Sequence, residues 1–359
     1  MNYIVLDLEW NQAAYKIDEE EDLPFEIIEI GAVKLDQNGE KVEEFQKLIR
    51  PQVYPFLVRR TRELTGWTDR DLDDKGEDFE IACEKFLEWC GKEYIFCIWG
   101  PSDLTQLERN MAYYNLKLPW KYPFKYLDVQ KLYALQEKEG KTRRALEYVI
   151  EKYEIPTDRP FHHAVDDAAY TAMVFQRIDR AEYEQFFSVD YYKIPKNRWE
   201  ETTFYFDTYS KYVSRMFPRK EELIEDKKVR ELSCMYCHKK LKKDVNWFSD
   251  AGRSYLAMGT CKEHGLMRAR IRIKNAENFK GYFAVRTIKP CTPEDETIIL
   301  GKRENLKRKR REHRKRQSAN AAKERAEEKK NTENKVSEKS SGKKKSQGKK
   351  KTENTGYIR

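Results

Sequence analysis

Asp7 and Glu9 stand two positions apart in the run Ile4-Val5-Leu6-Asp7-Leu8-Glu9-Trp10. Ile4, Val5 and Leu6 are apolar and β-favouring, so the run reads as a buried strand, and both carboxylates then leave the same face of it. Two like charges repel and resist desolvation, and a fold that keeps them together usually supplies a cation. Oxygen donors at this density suit Mg²⁺ or Mn²⁺ rather than zinc. Taken alone, the same run is equally an edge strand with two solvated acids. Two other segments add groups of the same kind. Asp103 falls in the first turn of a helix that Ser102 is placed to cap, just after the strand-like segment Tyr94 to Trp99. The carboxyl edge of a strand is where open α/β sheets hold ligands, although Asp103 could also serve only the helix dipole. In Phe161-His162-His163-Ala164-Val165-Asp166-Asp167, His162 lies five residues ahead of Asp167, near the start of a helical stretch over Ala168 to Ile178. A loop imidazole, which can act as general acid or base, and a first-turn carboxylate can therefore meet at one point.

A second constellation is of another chemistry. Cys234-Met-Tyr-Cys237 is followed after twenty-three residues by Cys261-Lys-Glu-His264, a pairing suited to one tetrahedral structural Zn²⁺. His238 is a substitute ligand, and four unpaired groups are the competing reading. Cys83, Cys90 and Cys97 sit in apolar surroundings and read as small core residues; with seven cysteines in all, a disulfide framework is not expected.

The elements that must position these groups follow from pattern. Phe25 to Leu35 and Lys41 to Ile49 read as strands joined by the turn residues Gln37-Asn38-Gly39. Phe79 to Trp89 has helical apolar spacing, Tyr94 to Trp99 reads as a second buried strand, and Tyr126 to Leu135 as a short strand or helix start. Arg143 to Tyr153 reads as an amphipathic helix. Residues 183–230 are rich in aromatics, which either stack on bases or form a helical connector that packs on the first domain. Tyr255 to Met258 and Met267 to Ile273 are strand-like flanks of the cysteine pairs, as in a zinc ribbon.

Of the 359 residues, 39% are hydrophobic and 37% charged, so a real core coexists with a polar remainder, enough for about two domains. The net charge of +9 is uneven: residues 301–359 hold 23 Lys+Arg against 8 Asp+Glu, leaving the first 300 residues at −6. The tail has too few apolar residues to offset its ordering entropy, so disorder is expected beyond about residue 320, with partial helix over 302–330. Its charge suits salt-dependent contact with a nucleic-acid backbone. No run of ~18 apolar residues and no apolar leader are present, so the reading is a soluble, cytoplasmic chain without membrane contact.

Three motifs, VLDLEW at 5–10, WGPSDLTQL at 99–107 and HHAVDDA at 162–168, with support from IIEIGAV at 27–33 and LTGWT at 64–68, resemble the DEDDh branch of the 3′→5′ exonucleases. That family includes polymerase proofreading subunits, oligoribonucleases and histone-mRNA exonucleases, and the resemblance covers about the first 180 residues. It implies an α/β, RNase H-like fold: a mixed five-stranded sheet flanked by helices. It also implies two Mg²⁺ or Mn²⁺ ions held by Asp7, Glu9, Asp103 and Asp167, with His162 as general base. His163 and Asp166 are next-door rivals. Leu64 resembles the residue that wedges against the terminal base, and Trp10 departs from the small hydroxyl residue many relatives carry; with Leu8 they are the substrate-binding candidates. The implied reaction is two-metal hydrolysis of single-stranded nucleic acid, RNA favoured over DNA, releasing nucleoside 5′-monophosphates. The alternatives are a nucleic-acid-binding adaptor with a silent nuclease fold and a DNA-repair or defence exonuclease. The expected organisation is an exonuclease domain over 1–182, a helical connector over 183–230, a zinc-ribbon-like module over 231–300 and a basic tail over 301–359.

Overall fold

The computed structural model describes residues 1–140, 142–276 and 281–345. The carboxylate run lies in β1 (Asn2–Asn11), the strand from which the first sheet is built. A meander follows, β2 (Glu26–Leu35) and β3 (Lys41–Leu48), then helices α1 (Arg59–Thr65), α2 (Asp69–Lys75) and α3 (Phe79–Cys90). Next come β4 (Tyr94–Ile98), α4 (Ser102–Tyr113), β5 (Lys125–Asp128), α5 (Val129–Gln136), α6 (Leu146–Lys152), α7 (Ala164–Gln176), α8 (Arg180–Tyr183) and β6 (Ser188–Val189). The sheet order is β3-β2-β1-β4-β5-β6. β2 runs antiparallel to β1, whereas β4 is parallel to β1 and β5 to β4. This is the mixed sheet expected, widened by the two-residue β6, which is too short to leave a periodic signal in sequence.

Alternation along β1 sorts its side chains between two cores. Ile4, Leu6 and Leu8 are buried with Phe86, Leu107 and Met111 of α3 and α4. Tyr3 and Val5 are buried with Leu132, Val149 and Phe175 of α5, α6 and α7. Each fully buried aliphatic side chain contributes roughly 1.5–3 kcal/mol, so the apolar half of β1 anchors a strand whose other end carries charge. By the same alternation Asp7 and Glu9 emerge on the α7 side, past the last apolar residue of that face. Cys83, Cys90 and Cys97 are buried core residues, as their surroundings suggest.

The second half is organised around a second sheet. It comprises β7 (Thr202–Tyr205), β8 (Ser210–Val213), β9 (Lys242–Ala251), β10 (Ser254–Cys261), β11 (Gly265–Asn275) and β12 (Tyr282–Pro290), with helix α9 (Lys220–Glu225) between β8 and β9. The order is β7-β8-β12-β11-β10-β9, every pairing antiparallel. The helical connector expected over 183–230 is therefore corrected. That segment contributes two strands of this sheet, because β8 pairs with β12 some seventy residues on (Val213 with Val285, Ser210 with Ile288). Its aromatics are largely spent on packing: Tyr212 is fully buried, and Phe204, Phe206 and Tyr191 surround Val213, Phe283 and Val285.

Helix α10 (Pro293–Lys345) closes the described chain. Ile299 of its second turn is buried against Val245, Leu256 and Met258 of β9 and β10. From Lys307 onward every described side chain is exposed. Residues 346–359, the end of the expected tail, lie outside the described residues. Among the described residues no helix is long and apolar enough to cross a membrane.

Candidate active site

The four acids and the histidine singled out in the sequence converge at the carboxyl end of β1. Oxygen or nitrogen atoms of Glu9, His162 and Asp167 all lie within 4.8 Å of one another. Asp103 enters from α4, whose first turn reaches over the strand ends from the opposite layer. Ser102, expected to cap that helix, is instead its first residue after Pro101, and its hydroxyl donates to Asp103 Oδ2 at 3.4 Å. The main chain of Leu8 also donates to Asp103.

What lets α7 come so close is Gly31. It pairs with Asp7 across β1 and β2, and a Cβ built there would lie 2.0 Å from the carbonyl carbon of Ala164 and from the nitrogen of Val165. Only a bare Cα admits the helix backbone at this point. Asp167, in the first turn of α7, is thereby held over Asp7 and Glu9. Its Oδ2 accepts the His162 N–H at 3.0 Å. That bond and a left-handed backbone at His162 (φ 66°) turn the chain into the helix.

The electrostatics are those of a site short of positive charge. Burial, then the charges of Asp103, Asp167, Glu9 and Glu29, push Asp7 well above the ordinary carboxylate range. Burial, then Asp167, Glu29 and Asp103, push Glu9 up to about 9. Burial raises Asp103 to about 7 and Asp167 to about 6, each against hydrogen bonds that favour the ionised form. Asp167 Oδ1 is buried and has no hydrogen-bond partner in the protein. An acceptor-only oxygen left open among four carboxylates fits hard divalent cations such as Mg²⁺ or Mn²⁺.

The neighbours separate into site and support. His163 caps α7 and turns away, with its ring edge-on to Trp67 and Nδ1 at 3.9 Å from Glu29 Oε2. Asp166 is ion-paired to Arg159 at 3.1 Å. The three substrate candidates divide. Leu64 on α1 is 44% exposed and open to a ligand. Leu8 is corrected: its side chain is buried in the α3–α4 core, on the face of β1 away from the acids, and only its main chain serves the site. Trp10 follows a register shift between Glu9 and Trp10 and packs on Phe25, ring centres 5.9 Å apart. Sequence reasoning missed Glu29, fully buried opposite Glu9, where it accepts from Gln46 Nε2 at 2.7 Å and Trp67 Nε1 at 3.0 Å. The signal was an acid inside the otherwise apolar run Ile27-Ile28-Glu29-Ile30.

In the second half, the ligating atoms of Cys234, Cys237, Cys261 and His264 also gather within 4.8 Å of one another. Cys234 Sγ is 3.5 Å from His264 Nδ1, and Cys261 Sγ is 3.6 Å from both Cys237 Sγ and His264 Nδ1. These separations match the edges of a tetrahedron with Zn–S of about 2.3 Å. The Glu263 N–H, then His264, pull the Cys261 thiol down to about 6, toward the thiolate a metal needs. His238 is not part of the cluster; its ring stacks on Tyr205 with centres 3.9 Å apart.

Residues 4–175 match the RNase_T family model, described as Exonuclease. A 3′-5′ exonuclease of Caenorhabditis elegans, crn-4, is 25% identical over 191 residues, 49% of this chain and 62% of that protein, so the chain spans less than two thirds of that relative's length. The probable 3′-5′ exonuclease KapD of Bacillus subtilis is 26% identical over 178 residues, 49% of this chain and 84% of that protein. Among solved structures, the nuclease domain of 3′hExo, a DEDDh family member, bound to rAMP, is 22% identical with a TM-score of 0.46, covering 53% of this chain and 96% of that one.

Proposed function

We propose, from the match of residues 4–175 to the Exonuclease family model, that this chain is a DEDDh-type 3′→5′ exonuclease of single-stranded nucleic acid, RNA preferred, releasing nucleoside 5′-monophosphates. The observation that carries the reading is the meeting of Glu9, His162 and Asp167 within 4.8 Å, in a site whose four acids all hold their protons above the ordinary range.

Asp7, Glu9, Asp103 and Asp167 would hold two Mg²⁺ or Mn²⁺ ions, which supply a polarised water and stabilise charge on the reacting phosphate. The chain's own residues do the rest. Asp103, fixed by the Leu8 main chain and Ser102, and Asp167, fixed by the His162 N–H, present oxygens in set orientations. His162 accepts the proton of the attacking water, its loop pinned to the helix that carries Asp167. Exposed Leu64 faces the terminal base. Cys234, Cys237, Cys261 and His264 would hold a structural Zn²⁺ that closes the second sheet's loops, and the basic helix adds contact with phosphates.

The test is hydrolysis of matched RNA, single-stranded DNA and duplex DNA labelled at the 5′ end, with and without Mg²⁺. The expected result is a ladder shortening from the 3′ end, fastest on RNA. Asp7→Asn and Asp167→Asn should lower the rate by more than the ~10–100-fold that losing an outer partner costs a metal site. Near wild-type turnover in either variant would overturn the assignment, and faster cleavage of duplex DNA would move the reading to a DNA-processing enzyme.

A further inference from the structure

β11 alternates strictly. Met267, Ala269, Ile271 and Ile273 are buried, while Arg268, Arg270, Arg272 and Lys274 leave the opposite face. Alternate residues of a strand stand about 6.7 Å apart, so four cations form a file of about 20 Å. Adjacent strands extend it sideways. Lys289 of β12 is opposite Arg268, and Thr287, opposite Arg270, is in turn opposite Lys211 of β8.

An ordinary sheet carries such charges on an open, solvated face. This face instead forms one wall of a groove of about 1100 Å³, whose other wall includes Tyr126, Lys131 and Phe187 of the exonuclease domain. Nine Lys and Arg line it against four Asp, so like charges face one another across the gap. Burial, then Lys131, Lys274 and Arg272, lower Lys211 to about 7. The acids are engaged locally: Asp128 with Arg143, Asp250 with Lys302, Asp295 with Arg268, while Asp190 accepts the Tyr192 N–H. Among the described residues no carboxylate lies within ion-pairing distance of Lys211, Arg272 or Lys289. At one end the groove reaches the start of α4, where Pro101 and Thr105 line it; Asp103 leaves the same turn on its other side, toward the end of β1.

We propose that this groove is the track for the substrate strand upstream of its scissile 3′ end, with the cations of β11 and Lys211 holding successive phosphates of a single strand. The proposal rests on the exonuclease reading and deepens it: the second sheet measures substrate length instead of serving as an add-on. A strand too short to leave the active site gains nothing from the track; one that enters the groove gains several charge-assisted contacts.

The experiment compares the full chain with Arg272→Glu/Lys274→Glu, both exposed positions, and separately with Lys211→Ala. Two readouts are taken: the ratio of kcat/KM on a 20-mer to that on a dinucleotide, and the anisotropy-measured affinity for a fluorescent 12-mer with Ca²⁺ in place of Mg²⁺, across a salt series. Wild type should favour the 20-mer, the double variant should lose at least tenfold in that ratio, and its log–log salt slope should flatten by about 1.4, two contacts at ~0.7 each. Unchanged ratio and slope in variants with wild-type circular dichroism would overturn the track. Absence of hydrolysis on every length, with groove-dependent binding of the 12-mer intact, would instead overturn the exonuclease reading and leave the track standing.

Discussion

Glu9→Gln should make the magnesium-free protein more stable while removing its activity. Glu9 is raised from 4.5 to about 9 in the folded chain by burial and by Asp167, Glu29 and Asp103. A carboxyl whose folded value is raised favours the fold fully below its unfolded value. That stability is lost as pH climbs from about 4.5 toward about 9, because the folded state keeps a proton that the unfolded chain releases. The slope is about 1.4 kcal/mol per pH unit while one such proton is held, so Glu9 alone accounts for up to about 4 kcal/mol between pH 5 and pH 8. Half of that would shift a domain of this size by roughly 4–8 °C. Glutamine has no proton to keep, so the variant's unfolding temperature should fall less steeply with pH and exceed wild type at pH 8. Thermal melts by tryptophan fluorescence in metal-depleted buffer at pH 5, 6, 7 and 8 measure this; a chelator is avoided because it would also remove the zinc proposed for the cysteine cluster. Mg²⁺ should then raise wild type more than the variant, since only binding to the folded state stabilises it. Equal pH slopes, or a variant less stable than wild type at pH 8 without Mg²⁺, would refute the idea that crowded carboxylates govern this site.

Gly31→Ala puts a methyl where the Ala164 carbonyl carbon is 2.0 Å away, so α7 must retreat by more than about 1 Å; turnover should drop ~10²-fold with a stability loss of about 1–3 kcal/mol, read by kinetics and melts on one preparation. Mildly purified protein should contain close to one zinc per chain, and Cys261→Ser should lose it together with the second sheet's cooperative unfolding; less than about half a zinc in wild type by elemental analysis would count against the site. Truncation after Gly301 should flatten the salt dependence of single-strand binding, and an unchanged slope would remove the basic helix from recognition.

The five candidate catalytic residues were legible because each is fixed by local pattern. Asp7 and Glu9 share a strand face by alternation, Asp103 and Asp167 open helices, and His162 sits at a set distance ahead of its acid. The resemblance joined them; the sheet order then had to bring three segments to one strand end. Illegible parts depend on contacts far along the chain. Glu29 matters because register sets it opposite Glu9, and Gly31 because α7 returns over it; neither return path is written in the residues beside them. β7 and β8 are four-residue strands, and β8 joins the sheet only through β12, which begins at Tyr282, so local propensity, rich in aromatics, pointed to a packed connector. The ligand spacing of the cysteine pairs was plain, yet it described only one corner of a six-stranded sheet. The same non-local pairing gives that sheet its basic face: alternation in β11 was present in the sequence, but only the β8–β12–β11 register gathers Lys211 and Lys289 beside it and turns it toward the exonuclease domain. A charge pattern that reads as a solvated strand in one dimension thus becomes, once paired and roofed, a surface with few anions of its own that runs to the first turn of α4.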